Sequence, residues 1–220
     1  MKYSIAIDGP AGAGKSTVAK IAAKRLGIPY LDTGAMYRAT AVACRAHGID
    51  VKDWDAVRAF LPSLNIEVRY TETGAQRMIV DGEDVTHLLR TEEISQGASL
   101  VSMIPEVRDQ LVVLQREVAH RQAVIMDGRD ICTNVLPDTP HKFFITASAE
   151  KRANRRVKQL IEMGQLADYE TILSDIQRRD KQDSERAYMP LVCKEDTTLI
   201  DTTNLTIEQA VETLLSGVKE

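Results

Sequence analysis

Residues 9–16 read Gly9-Pro10-Ala11-Gly12-Ala13-Gly14-Lys15-Ser16. An apolar run, Tyr3-Ser4-Ile5-Ala6-Ile7-Asp8, comes before them, and Thr17 to Leu26 follows with the spacing of an amphipathic helix. Strand, glycine-rich turn and helix, with G-x-x-x-x-G-K-[ST] across the turn, form the pattern of a loop that wraps phosphate. Glycines at 9, 12 and 14 let the backbone turn tightly and aim its N–H groups inward. The helix starting near Gly14 adds unpaired N–H groups and the positive end of its dipole. Lys15 can reach the β- and γ-phosphates of a nucleotide, and the Ser16 hydroxyl can ligate Mg2+. Four fixed positions match by chance in about 1% of chains this long, and the flanks narrow that further.

The totals bound the rest. At 220 residues, 44% hydrophobic and 27% charged, the chain has the composition of a soluble globular protein of one or two domains. No apolar run approaches the ~18 residues of a membrane span, and Met1-Lys2-Tyr3-Ser4 lacks a signal-peptide pattern. No membrane partner and a cytoplasmic location are therefore expected. The net charge of −4 implies no general attraction to nucleic acid. Of the 28 basic residues 17 are Arg, whose planar fork grips phosphate. Cys44, Cys132 and Cys193 are odd in number and widely spaced, and the four His lack ligand spacing. Neither a disulfide framework nor a zinc site follows.

Along the chain, Ile28 to Asp32 reads as a second strand and Ala35 to about Ala46 as a helix. Asp32-Thr33-Gly34-Ala35-Met36-Tyr37-Arg38 then lies at a strand's carboxyl end, where open α/β sheets bind ligands. Ile66, Val68 and Tyr70 alternate with polar residues, as do Met78 and Val80; Thr73-Gly74 and Asp81-Gly82 are turn signals. This small antiparallel unit interrupts the α/β pattern as an insertion. Helices follow over Thr91–Met103 and Glu106–Arg121. A buried strand, Ala123 to Asp127, runs into Gly128-Arg129-Asp130, and Phe143 to Thr146 is the next. An Arg-rich helix from Ser148 to Gly164 and another from Asp168 to about Asp183 read as a mobile lid or as a solvated hairpin. Thr197 to Ile200 is the last strand, and Thr206-Ile207-Glu208-Gln209 is a capping box opening a final helix. The expected fold is α/β: three layers, a central parallel sheet with helices on both faces, an inserted antiparallel unit and a helical lid. The expected organisation is a single domain over 1–220, with its core in 1–62, 91–150 and 190–220, an acceptor-binding insertion at 63–90 and a lid at 151–189.

A phosphate loop names a nucleotide and no reaction. A switch GTPase would carry N-K-x-D after a strand; the nearest match, Asp180-Lys181-Gln182-Asp183, has the wrong first residue and sits on a helix. A small-acceptor kinase fits the remaining charged clusters. An anionic phosphate acceptor needs no base, only arginines, Mg2+ and exclusion of water. A hydroxyl acceptor would use a carboxylate base, for which Asp32 and Asp130 are candidates. The residue chemistry leaves both open.

Four stretches together resemble bacterial cytidylate kinases: Ile7 to Thr17, Leu31 to Arg38, Asp127 to Asp130, and Arg179-Asp180…Asp183…Arg186-Ala187…Pro190-Leu191. The resemblance spans nearly the whole chain and implies phosphoryl transfer from ATP to CMP and dCMP with Mg2+, in pyrimidine nucleotide metabolism. UMP or another nucleoside monophosphate is the alternative acceptor, and a switch-type NTPase the alternative class. It implies that Gly9, Pro10, Ala11, Gly12, Ala13, Gly14, Lys15, Ser16 and Thr17 bind ATP with Arg155, and that Ser16 touches the metal. Arg152 and Arg156 are further donor-side candidates. Thr33, Arg38 and Arg129 hold the acceptor phosphate. Ser99, Arg108 and Asp130 read the cytosine edge, Arg179 and Asp183 hold the sugar, and Arg186 approaches as a lid closes. Lys15, Arg129 and Arg186 are then the catalytic set. Small molecules are the only implied partners, and a monomer is expected. Two positions depart from the family: Cys132 stands where the Gly-Arg-Asp-Ile-Gly-Thr run has glycine, and Tyr188-Met189 replaces smaller residues. An exposed Cys132 of lowered pKa would be an oxidisable thiol beside the site.

Overall fold

The apolar run before the glycine loop becomes a strand buried along its whole length, Ser4–Asp8. The computed structural model describes residues 3–218. In chain order the elements are β1 (Ser4–Asp8), α1 (Lys15–Leu26), β2 (Tyr30–Asp32), α2 (Thr33–Ala46), α3 (Trp54–Phe60), β3 (Ile66–Tyr70), β4 (Gln76–Val80) and β5 (Glu83–Asp84). They continue with α4 (Glu92–Val101), α5 (Pro105–Arg121), β6 (Val124–Gly128), β7 (His141–Thr146), α6 (Ala149–Glu162), α7 (Tyr169–Glu185), β8 (Thr198–Asp201) and α8 (Ile207–Ser216). The chain forms two compact units, one from Pro29–Gln122, the other from Tyr3–Ile28 with the chain after Gln122.

In the unit that carries the glycine loop, the strand order is β6-β1-β7-β8, all parallel. Ile5, Ile7, Ile125 and Ile145 are fully buried. Each stabilises by about 1.5–3 kcal/mol, and such unbroken apolar strands suit a parallel sheet covered by helices. Helix α1 lies against β1, β6 and α8. Arg25 on α1 holds α8 through ion pairs to Glu208 and Glu212. In the β6–β1 register Ile7 lies beside Asp127 and Asp8 beside Gly128. The polar ends of both strands therefore arrive side by side at the sheet's carboxyl edge.

The other unit carries the expected antiparallel sheet, in the order β3-β4-β5. Asp81 (φ 49°) and Gly82 (φ 90°) make the second turn, both left-handed, as a two-residue hairpin of this type requires. The expected alternation fails on β4, where Met78, Ile79 and Val80 are all buried; the strand also lies against α2. Helix α4 comes close to α2 because Gly97 has no side chain: a Cβ there would stand 3.1 Å from that of Ala41.

Side-chain caps begin most helices. Asp32, Asp53, Thr91, Ser148 and Asp168 each accept from a first-turn N–H, and Thr206 with Gln209 completes the capping box. Each cap contributes about 1 kcal/mol. The Asp32 cap moves the start of α2 from the expected Ala35 back to Thr33. Helix α7 runs on to Glu185, so Asp183 lies within it and not at its end. A π-helical turn, Ile131–Val135, follows β6 and has no counterpart in the sequence reading. Among the described residues no helix is long and apolar enough to cross a membrane.

Candidate active site

The glycine loop leaves β1 through Gly9, whose φ is 145°. A Cβ on Gly9 would stand 1.9 Å from the Ile145 carbonyl oxygen of β7. Only glycine passes between loop and sheet at this spacing. Lys15, the first residue of α1, is buried, and its Nζ donates to the Pro10 carbonyl at 2.8 Å. Burial, then the nearby Arg129, lowers its pKa. The loop thus curls around its own lysine. That carbonyl contact is the one an arriving phosphate oxygen can replace.

Ser16 Oγ donates to Asp127 Oδ2 at 2.8 Å. The β1–β6 register brings these residues together across 111 positions of sequence. A hydroxyl and a carboxylate suit Mg2+, which takes few protein oxygens and completes its shell with phosphate and water. Among the described residues no group of three or more His, Cys, Asp or Glu could hold a metal on its own.

Beyond the loop lies a network of arginines and carboxylates. Arg129 Nε donates to Asp183 Oδ2 at 2.6 Å, joining the end of β6 to α7. Burial tends to raise the Asp183 pKa, but Arg129, Arg179 and Arg186 outweigh it and hold the carboxyl below its ordinary value. Arg186 lies 3.6 Å from Asp130 Oδ1 and donates from Nε to the Met189 carbonyl at 2.6 Å. Met189 is left-handed, with φ 51°. Arg152 grips Asp180 with two bonds of 2.9 and 2.5 Å and donates to the Ala11 carbonyl at 3.2 Å, tying α7 to the loop. Arg155 donates twice to Thr202, whose hydroxyl bonds the Ala13 carbonyl at 2.9 Å. Arg155 Nη1 also lies 3.9 Å from where a Gly14 Cβ would be. Arg156 bonds Gln159 on its own helix.

Asp8 is fully buried, and its carboxylate accepts from the Ile131 and Cys132 N–H groups at 2.8 Å each. These two bonds anchor the π-helical turn directly after Arg129 and Asp130. Burial, with the charge of Asp130, pushes the Asp8 carboxyl up to about 6. Cys132 does not meet the condition for a reactive thiol, which was exposure with a lowered pKa. It is buried at 3% exposure, with Sγ 3.6 Å from the Ala6 and Phe143 carbonyls. Burial, with Asp8 beside it, raises its thiol pKa, so Cys132 fills space and is no exposed reactive thiol.

In the unit Pro29–Gln122, Thr33 opens α2 and is buried, and Arg38 follows one turn later. Asp32 Oδ1 accepts from the Ala35 N–H at 3.0 Å and Oδ2 from Arg38 Nη2 at 2.6 Å. Arg108, on α5, is almost wholly buried, with its guanidinium 5.4 Å from the Tyr37 ring centre. It donates to the Ser102 carbonyl at 3.2 Å, and the Ser102 hydroxyl donates to the Ser99 carbonyl at 2.8 Å. The four acceptor candidates thus fall on α2, α4 and α5 of one unit. Gly9 to Thr17, Arg129, Asp130, Arg155, Arg179, Asp183 and Arg186 all fall in the other. Asp32 and Asp130 are both ion-paired, which suits positioning better than proton abstraction.

The sequence reading missed Asp8, Asp127, Asp180 and Thr202 as parts of this site. The first two carried a signal, since each is the acidic end of an apolar strand. Asp180 lies inside the fourth stretch of the resemblance but was given no role, and Thr202 carried no signal.

A G-x-x-x-x-G-K-S loop leaving the carboxyl end of β1 in a parallel α/β sheet, with Ser16 bonded to Asp127 beside it, is the plan of a phosphate-loop kinase. A family model described as Cytidylate kinase matches residues 5–220. The chain belongs to the cytidylate kinase family. It is 48% identical over 216 residues to a cytidylate kinase of a Geobacillus species, covering 98% of this chain and 96% of that one. It is 46% identical over 214 residues to that of Caldicellulosiruptor saccharolyticus, covering 97% and 94%. It is 44% identical over 219 residues to that of Bacillus subtilis, covering 100% and 97%. A solved protein from Eubacterium ventriosum, titled uncharacterized, shares the fold at TM-score 0.55 and 14% identity, over 98% of this chain and 97% of that one.

Proposed function

We propose that this chain transfers the γ-phosphoryl group of ATP to CMP and dCMP, giving ADP and CDP or dCDP. The observation that carries the reading is the Ser16–Asp127 pair beside Lys15, at the foot of the loop in a member of the cytidylate kinase family. Gly9 to Thr17 present backbone N–H groups to the donor phosphates, and Lys15 exchanges the Pro10 carbonyl for a phosphate oxygen. Ser16 and Asp127 would hold Mg2+, which neutralises charge on the phosphates when bound. Arg155, beside Gly14, serves the donor.

Thr33 and Arg38 take the acceptor phosphate, with Arg129. The attacking oxygen is already anionic, so no proton need be removed. Lys15, Arg129 and Arg186 spread the charge that builds on the transferring group. Ser99, Arg108 and Asp130 meet the cytosine edge, where one amino donor adjoins ring acceptors. Asp183 and Arg179 take the sugar. Residues 63–90 form the acceptor-side insertion and 151–189 a lid that keeps water from ATP.

The division of labour is tested by kinetics. Arg38→Ala is expected to raise KM for CMP by about tenfold or more while KM for ATP stays within about twofold; Arg155→Ala should do the reverse. Equal rises in both constants for both variants would refute the assignment.

A further inference from the structure

Gln76 opens β4, and its carboxamide is joined to the main chain of Asp32 at both ends. The Asp32 N–H donates to Gln76 Oε1 at 2.8 Å, and Gln76 Nε2 donates to the Asp32 carbonyl at 3.2 Å. The same nitrogen lies 3.1 Å from Met78 Sδ. The main chain of one residue offers one N–H donor and one carbonyl acceptor, here on the two peptide groups that flank the Asp32 Cα, so the amide can face it only one way round. Asp32 is the end of β2 and the cap of α2, and its carboxylate is shared between the Ala35 N–H and Arg38. A single chain of hydrogen bonds therefore runs from the hairpin through Asp32 to the Arg38 guanidinium. It crosses 44 positions of sequence. Arg38 keeps a side-chain exposure of 24%, and its Nε is buried with no hydrogen-bond partner. The guanidinium is held on one edge and still has donors to give.

We propose that Gln76 is a positioning residue for the acceptor phosphate: its amide clamps the Asp32 main chain, which fixes the Asp32 carboxylate and so the angle of Arg38. The inference rests on the reading of Arg38 as a ligand of that phosphate. It adds a role for the inserted hairpin. The hairpin sets the phosphate-binding arginine through a side chain that does not itself touch substrate. Such indirect placement matters because small misplacements of a binding group cost large factors in rate.

The test compares Gln76→Ala, Gln76→Glu, Arg38→Ala and the double variant Gln76→Ala/Arg38→Ala, with thermal unfolding of each. Gln76→Ala should raise KM for CMP about 5- to 30-fold, with KM for ATP within about twofold. Gln76→Glu keeps the size of the side chain and so guards against misfolding. It faces the Asp32 carbonyl with an acceptor and adds a charge that competes for Arg38, so it should be at least as damaging. In the Arg38→Ala background, Gln76→Ala should add less than about a twofold further loss, as coupled residues do. An unchanged KM for CMP in a folded Gln76 variant, equal rises in both KM values, or full additivity with Arg38→Ala would overturn the clamp and leave the Arg38 reading standing. An Arg38→Ala enzyme of normal KM for CMP would sink the Arg38 reading itself, and the clamp with it.

Discussion

Gly9→Ala tests the seat of the phosphate loop. The new methyl would begin 1.9 Å from the Ile145 carbonyl oxygen, so loop and β7 must part by about 1.1 Å merely to reach 3.0 Å. Ile145 cannot move alone, since β7 is bonded to β1 on one side and β8 on the other. Overpacking of this kind costs about 1–3 kcal/mol. Gly9 also sits at φ 145°, and a side chain held in such a region costs about 1–3 kcal/mol more. The loss is then about 2–6 kcal/mol, or roughly 4–24 °C in Tm at about 2–4 °C per kcal/mol for a chain of this size. Gly14→Ala is the control. Gly14 has φ 92°, but the nearest atom to its new methyl is Arg155 Nη1 at 3.9 Å, so only backbone strain remains. Differential scanning calorimetry on both variants should show Gly9→Ala as clearly the less stable. A Gly9→Ala protein within about 2 °C of wild type, or Gly14→Ala as the more damaged of the two, would refute the reasoning.

Thiol titration of the native protein should find one fast cysteine, Cys193, because Cys44 and Cys132 are buried; all three should react after unfolding, and rapid loss of a second thiol in the native state would contradict this. Asp127→Asn should leave the fold intact and raise the Mg2+ concentration for half-maximal activity by about tenfold or more; an unaltered Mg2+ curve would remove Asp127 from the metal site. Asp183, held below its ordinary value of 3.8, contributes stability that is present above that value and lost as pH falls through the folded pKa. Asp183→Asn should therefore flatten the acid limb of a urea-midpoint-versus-pH curve below about pH 4, and an unchanged limb would count against it. Asp8 has the opposite sign: raised from 3.8 to about 6, it contributes stability that is lost as pH rises across that window. Asp8→Asn should remove that decline, and its persistence would refute the assignment.

What the sequence disclosed was local. The glycine loop, the helix caps and the buried strands each follow from residues within a few positions of one another, and the structure forms them within one or two residues of where they were expected. The fold class followed from strand–helix alternation. What stayed hidden depends on strand register. Ser16 meets Asp127, and Asp8 meets Ile131 and Cys132, only because β1 lies in register beside β6. Gln76 reaches Asp32 only because the hairpin folds back to the end of β2. Cys132 shows the same limit: whether its thiol is exposed depends on the packing of β1 and β7, which place it near the Ala6 and Phe143 carbonyls. Asp32 was readable as a helix cap, since an Asp three residues before Ala35 is a common signal; missing it displaced the start of α2 by two residues.

The central claim is that this phosphate loop donates to a cytidine monophosphate. ADP release followed with CMP, dCMP, UMP, AMP and GMP tests it most directly. Ser99, Arg108 and Asp130 are proposed to read the cytosine edge by hydrogen bonds, and such sites discriminate strongly against mismatched groups. Turnover should be high with CMP and dCMP, much weaker with UMP and weakest with AMP. It should vanish in Lys15→Ala. Equal turnover of all five acceptors, or ATP hydrolysis that needs no acceptor, would contradict the account.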